Sequence, residues 1–173
     1  MKPTRRANLQ SGYTLVEVII ALAIGALLMV ALTSVIFSAV RASAVATSRV
    51  QASAEIRNFE YYAYDDFARS QAPSSGVCTQ ASPCTTQALT LTGIQVSNTT
   101  PQPHTVTVSY IWDGTSNLDR SVGGGGPSRH TATDVTAFDW YVDANSTVVV
   151  SISVTVGTYT ETSTFRFYPR MSP

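Results

Sequence analysis

Glu17 is a lone carboxylate at the edge of an apolar run that continues from Val18 to Val40 without a charge. A carboxylate placed there costs a few kcal/mol (~2.5–3.5) to bury in a membrane-like setting and calls for a partner. Cys78 and Cys84 are the only two cysteines, with five residues between them. That spacing is wrong for a C-x-x-C redox motif, and a zinc site would need two further ligands nearby. His104 and His130 stand beside loop residues, and neither belongs to a nucleophile or metal motif. Asp65-Asp66 could bind calcium with loop oxygens, but no D-x-D-x-D-G spacing accompanies them, and a solvated helix face is the simpler reading. The run Gly123–Gly126 before Pro127 resembles a phosphate loop in composition only, because no Lys-Ser/Thr follows. Asn98-Thr99-Thr100 and Asn145-Ser146-Thr147 match the N-glycosylation acceptor, a pattern common by chance in Ser/Thr-rich chains. No catalytic constellation emerges: the chain is not expected to be an enzyme, and no cofactor or metal is expected.

The elements that position these residues begin with the amino end. Lys2, Arg5 and Arg6 form a short basic leader, and Gly12-Tyr13-Thr14-Leu15-Val16-Glu17 joins it to the apolar run. At ~1.5 Å per residue the 23 residues from Val18 to Val40 reach about 34 Å, enough for a bilayer core of ~30 Å. Under the positive-inside rule the leader stays cytoplasmic and everything after Val40 lies outside. Charged residues are 13% of the 173, and the chain has 11 basic and 11 acidic side chains. Without the leader 8 basic and 11 acidic remain, near −3, so no basic face argues for nucleic-acid binding. An even cysteine pair in an oxidising compartment most often forms a disulfide. So short a loop is expected to contribute roughly 2 kcal/mol, mainly by pinning a surface turn.

This junction resembles the class III signal of type IV prepilins and pseudopilins. The resemblance implies that a membrane prepilin peptidase cuts between Gly12 and Tyr13 and methylates the new amine of Tyr13. It also implies that Glu17 is the family's assembly carboxylate, meeting the N-terminal ammonium of a neighbouring subunit. Partners implied are the peptidase, other pilin or pseudopilin subunits, the membrane and an assembly platform. The departure is Tyr13, where most members have phenylalanine; the aromatic ring is kept. Two other readings stay open. A secretory signal peptide would use Ala42-Ser43-Ala44 or Ala44-Val45-Ala46 as its cut, although the apolar run exceeds the usual ~7–15 residues and Arg41 interrupts the approach. A signal anchor would leave Glu17 accidental.

From Arg41 to Ser70 there is no Gly or Pro, and Ala52, Ile56, Phe59, Ala63 and Phe67 recur at three- and four-residue steps. The spacing predicts a helix from Thr14 to Ser70, all-round apolar in its first half and amphipathic in its second, ended by Pro73-Ser74-Ser75-Gly76. No proline interrupts it, so Gly25 is its only intrinsic weak point. The second half reads as strands: Thr105–Trp112 alternates, Asp113-Gly114-Thr115 turns towards Leu118-Asp119-Arg120, and Val135–Val142 and Val148–Val156 follow. Gly157-Thr158 suits a two-residue hairpin leading into Tyr159–Tyr168, and Leu89–Val96 is a weaker strand. The expected fold is α+β: one long helix on an antiparallel sheet of four to six strands. Expected boundaries are a leader at 1–12, a transmembrane or filament-core helix at 13–40, an amphipathic half at 41–72, a connecting region at 73–104 and a sheet head at 105–173.

More loosely, the head is similar to those of W-type minor pilins and J-type pseudopilins. The likeness runs through Val106-x-Val108-x-Tyr110, Leu118-Asp119-Arg120, Asp134–Phe138 and Tyr168-Pro169-Arg170. It implies a minor structural subunit of a type IV pilus, competence pseudopilus or type II secretion pseudopilus. Such a subunit is held by a single pass in the inner or cytoplasmic membrane before joining a filament outside. The alternative is an anchored or secreted β-domain that binds an extracellular ligand.

Overall fold

A computed structural model describes residues 13–73, 78–85, 87–95, 104–123 and 129–169. Outside the described residues lie the basic leader with Gly12, the breakers Ser74–Gly76, the acceptor at Asn98, Gly124–Pro127 and Arg170. The elements in order are α1 (Leu15–Ala68), β1 (Ser70–Gln71), β2 (Leu89–Gln95), β3 (His104–Trp112), β4 (Leu118–Val122), β5 (Arg129–Ala132), β6 (Val135–Val142), β7 (Val148–Val156) and β8 (Tyr159–Phe167). The architecture is α+β, with α1 supplying both a stalk and a packed helix. By contacts the chain divides into two units, Met1–Ala44 and Val45–Pro173.

In the first unit every described residue is exposed, and the stretch 18–40 is mostly apolar and carries no charge. Two of its hydroxyls close on the helix itself: Thr33 Oγ1 donates to Met29 O (2.7 Å) and Ser34 Oγ to Ala31 O (2.8 Å). Such bonding back along the helix satisfies hydroxyls where no water is available.

In the second unit the stripe predicted from the spacing is the buried one. Ala52, Ile56, Phe59, Ala63 and Phe67 are all buried, and Asp66 joins them. Phe59 is the hub, its ring edge-on to Tyr110 of β3 (5.6 Å) and Phe138 of β6 (6.0 Å) and tilted against Phe165 of β8 (5.8 Å). Phe67 stacks on Phe167 at 4.1 Å. Burying such a ring stabilises the fold by about 1.5–3 kcal/mol, so one helix residue ties three strands to the core.

The sheet differs from the expectation of four to six strands. Among the described residues eight strands form two antiparallel sheets, β1-β2-β3-β4-β5 and β6-β7-β8. The break follows Ala132: Asp134, with φ 56, turns the chain, and β6 pairs with β7 rather than β5. Two strands had left no periodic signal. β1 is two residues long, and β5 reads Arg129-His130-Thr131-Ala132, mostly polar and joined to β4 through a bulge. The helix also ends earlier than expected, at Ala68 and before Pro73. Strand pairing stops it, since Ser70 and Gln71 already pair with Gly93 and Thr92. Gly93 permits that approach: a Cβ there would lie 2.6 Å from the Arg69 carbonyl oxygen.

The hairpin turns follow local chemistry. Gly157 (φ 61) opens the two-residue turn between Val156 and Tyr159, as its sequence predicts. In the β3–β4 loop, Asp113 Oδ1 accepts N–H bonds from Thr115 (2.7 Å), Ser116 (2.8 Å) and Asn117 (3.0 Å). These amides, Asn117 first, hold its carboxyl well below the usual carboxylate range.

Cys78 and Cys84 are joined, with Cα atoms 5.3 Å apart. The bridge is not a surface pin: Cys78 is 2% and Cys84 8% exposed, and both belong to the core cluster. Their loop binds the outer edge of β6, with Cys84 N donating to Trp140 O (2.9 Å), Trp140 N to Cys84 O (3.0 Å) and Val142 N to Cys78 O (3.1 Å). Trp140 Nε1 donates to Gln87 O (3.0 Å). The short loop thus covers a sheet edge that would otherwise be open. Cys78→Ser is expected to lower stability by about 2–4 kcal/mol and to speed amide exchange at Trp140 and Val142. Rapid labelling of both thiols without reductant would show the bridge absent.

Candidate functional site

Glu17 meets Thr14 at the start of α1. Glu17 Oε2 accepts from Thr14 N (3.1 Å) and Thr14 Oγ1 (3.2 Å), while Thr14 Oγ1 accepts from Glu17 N (3.3 Å). This is a capping box, in which a threonine and a glutamate three residues later satisfy each other's backbone donors. It is worth roughly 1 kcal/mol to the helix end. The T-x-x-E spacing before an apolar run carries that signal, which a reading focused on the carboxylate alone passes over. Oε2 is committed to Thr14, whereas Glu17 Oε1 has no partner among the described residues. Tyr13, next to this box, is exposed.

Residues 7–33 match the prokaryotic N-terminal methylation motif, the class III signal peptide of type IV pilins. The amino end of the chain therefore carries the signal found on precursors of the type IV pilin kind. No curated protein and no solved structure matches it. The match covers the amino end and none of the head. The motif implies processing by a prepilin peptidase and assembly with other pilin subunits. The family is one of structural subunits. The part of α1 within the motif belongs to a helix long and apolar enough to cross a membrane, which suits single-pass anchoring.

In the head, the most concentrated polar chemistry lies under the packed part of α1. Asp65 and Asp66 are not a shared solvated face. Asp65 is exposed and pairs with Arg69 (2.8 Å), but the Asp66 side chain is only 4% exposed. Arg120 of β4 grips Asp66 with two bonds, Nε to Oδ2 (2.6 Å) and an Nη to Oδ1 (2.7 Å), and the Tyr110 hydroxyl donates to Oδ2. Burial, followed by the neighbouring carboxylate, pushes the Tyr110 hydroxyl far above the phenol range, so it remains a donor. The Asp66 carboxylate likewise holds the Arg120 guanidinium in its charged form. With the carboxylate oxygens occupied in this way, the arrangement fixes helix register against β3 and β4.

Above this triad is an open depression of about 830 Å³, lined in part by Arg57, Tyr61, Tyr62 and Tyr64. Tyr61 and Tyr64 are 76% and 72% exposed. Tyr62 lies beneath two guanidinium groups, Arg120 at 5.7 Å and Arg129 at 5.1 Å from its ring centroid. Each such contact contributes about 0.5–1 kcal/mol. The structure brings Glu17 to Thr14 and Cys78 to Cys84, and neither cysteine lines the depression. His130 is the second residue of β5, with Nδ1 2.5 Å from Asp119 Oδ1, and His104 is the first residue of β3. Asn145 lies exposed in the β6–β7 turn.

Proposed function

We propose that this chain is a minor structural subunit of a type IV pilus or related pseudopilus. The peptidase cuts between Gly12 and Tyr13 and methylates Tyr13, and Glu17 then acts as the assembly carboxylate. The observation that carries the reading is the coincidence of the methylation motif with the apolar, exposed first half of α1, whose first turn is capped by Thr14 and Glu17. An exposed apolar surface of that length requires a membrane before assembly and neighbouring subunits afterwards. The capping box keeps the first turn helical up to the new amino terminus, and the vacant Oε1 is available to an ammonium group. The likeness of the head to W-type minor pilins and J-type pseudopilins supports a minor subunit, with pilus, competence and type II secretion machines all compatible.

The test is the mass of the mature chain. Loss of residues 1–12 and a gain of one methyl group on Tyr13 is the expected result, and Gly12→Val should abolish the cut by crowding the junction. A mature form beginning at Val45 or Thr47 would overturn the proposal in favour of an ordinarily secreted domain. Quantitation in sheared filaments should place the chain well below the main subunit; equal abundance would make it a major one.

A further inference from the structure

We infer that Asn145 is an acceptor of an N-linked glycan on the exported head. The inference needs the head to leave the cytoplasm, which the proposed topology provides and ordinary secretion would provide equally.

Asp143-Ala144-Asn145-Ser146-Thr147 forms the whole turn between β6 and β7. Ser146 N donates to Asp143 O (3.1 Å) and Asp143 N to Thr147 O (2.9 Å), with Ser146 at φ 59. This is a tight turn followed by one left-handed residue. Asn145 takes part only through its backbone: its N–H donates to Asp143 Oδ1 at 2.7 Å. The side-chain amide is exposed and has no partner among the described residues. The β3–β4 loop provides an internal comparison. There Thr115 occupies the equivalent place and donates its N–H to Asp113 Oδ1 at the same 2.7 Å. Loop closure therefore needs no asparagine at this position, and the free carboxamide is left without a structural task.

An Asn-x-Thr acceptor belongs on a surface turn of an exported chain, where a bulky glycan disturbs no packing. The mature chain has no lysine and few charges, so a solubilising graft suits its composition. The donor is an oligosaccharide carried on a polyprenyl pyrophosphate. Asn145 Nδ2 attacks the anomeric carbon, the C–N bond forms, the bond from that carbon to the pyrophosphate oxygen breaks, and the pyrophosphate leaves with the electron pair. One amide proton is lost and no oxidation occurs.

The structure also sets the timing. Thr147, whose hydroxyl the transferase reads, is 3% exposed and locked to Asp143. Transfer must precede closure of the β6–β7 hairpin, on the chain as it emerges from the membrane. Chain purified unglycosylated and already folded should then be a poor acceptor, whereas the same chain unfolded in urea and diluted should react.

Trypsin separates the two acceptors, because His130–Arg166 contains Asn145 and Ser70–Arg120 contains Asn98. In full-length chain from its source cells, the expected result is a glycan mass increment on His130–Arg166, localised by fragmentation to Asn145. Asn145→Gln and Thr147→Val should both remove it. Recovery of that peptide entirely unmodified overturns the inference. So does an increment that persists in Asn145→Gln, which would place the sugar on hydroxyl groups. The amino-terminal peptide Tyr13–Arg41, read in the same digest, reports the cut and methylation separately, so the two proposals can fail independently.

Discussion

Arg120→Ala is expected to destabilise the head by roughly 3–5 kcal/mol, because it leaves the Asp66 carboxylate buried without its counter-ion. Asp66 is 4% exposed and receives two bonds from Arg120 and one from Tyr110. Asp66→Ala should cost as much, since Arg120 would then keep a charge that is largely buried. The measurement is chemical or thermal unfolding of each variant against wild type, in detergent for the full chain. The double change Asp66→Leu with Arg120→Met separates two explanations. If the single losses reflect a stranded charge, the double variant recovers much of the stability, as replacing a buried pair by apolar groups often does. Losses that simply add would show that each side chain acts through separate contacts, for example Arg120 through the Tyr62 ring. Single variants within 1 kcal/mol of wild type would show that the triad has no such role.

Glu17→Ala is expected to leave cleavage after Gly12 intact while its incorporation into filaments falls by about a hundredfold or more. Losing one partner of an ion pair in an apolar bundle costs roughly 3–5 kcal/mol, and each ~1.4 kcal/mol is tenfold in an equilibrium. The processed variant should accumulate in the membrane fraction, and sheared filaments compared with that fraction provide the measurement. The capping box introduces a second effect that must be removed from the comparison. Glu17→Ala also deletes the cap, worth only about 1 kcal/mol. Thr14→Ala deletes the cap and keeps the carboxylate, so it should assemble far better than Glu17→Ala. Equal defects in the two variants would assign the effect to helix capping. Wild-type incorporation of Glu17→Ala would exclude the pairing role and favour a tip position, where no neighbour lies ahead.

Sequence reading and tertiary structure divide along the range of the forces involved. Local patterns were legible for the helix and for the longer strands, though not for β1 and β5. The apolar run from Val18 to Val40 and the stripe Ala52, Ile56, Phe59, Ala63 and Phe67 follow helical spacing, and the stripe is the face that packs. The alternation in β3 and β7 and the turn at Gly157 follow from the two-residue period and from glycine's freedom at positive φ. The methylation motif is contained within 27 residues, 7–33.

Long-range partnerships were not legible. Asp66 and Arg120 are 54 positions apart, and nothing local to Asp65-Asp66 shows that one carboxylate is solvated and the other buried. The distinction depends on which side of α1 meets β3 and β4, where the low-dielectric interior makes a partner obligatory. The division into two sheets rests on a turn at Asp134 and on the short β5, whose four residues pair only because β4 is beside them. The Cys78–Cys84 loop looks like a surface turn from its spacing, and becomes part of the core only because Trp140 offers it a free strand edge. Periodicity and motif are properties of neighbouring residues, so the sequence by itself determined the helix, most of the strands and the pilin-type signal. Burial of a charge, strand partnership and edge protection are properties of segments brought together by folding, and only the tertiary structure decided them.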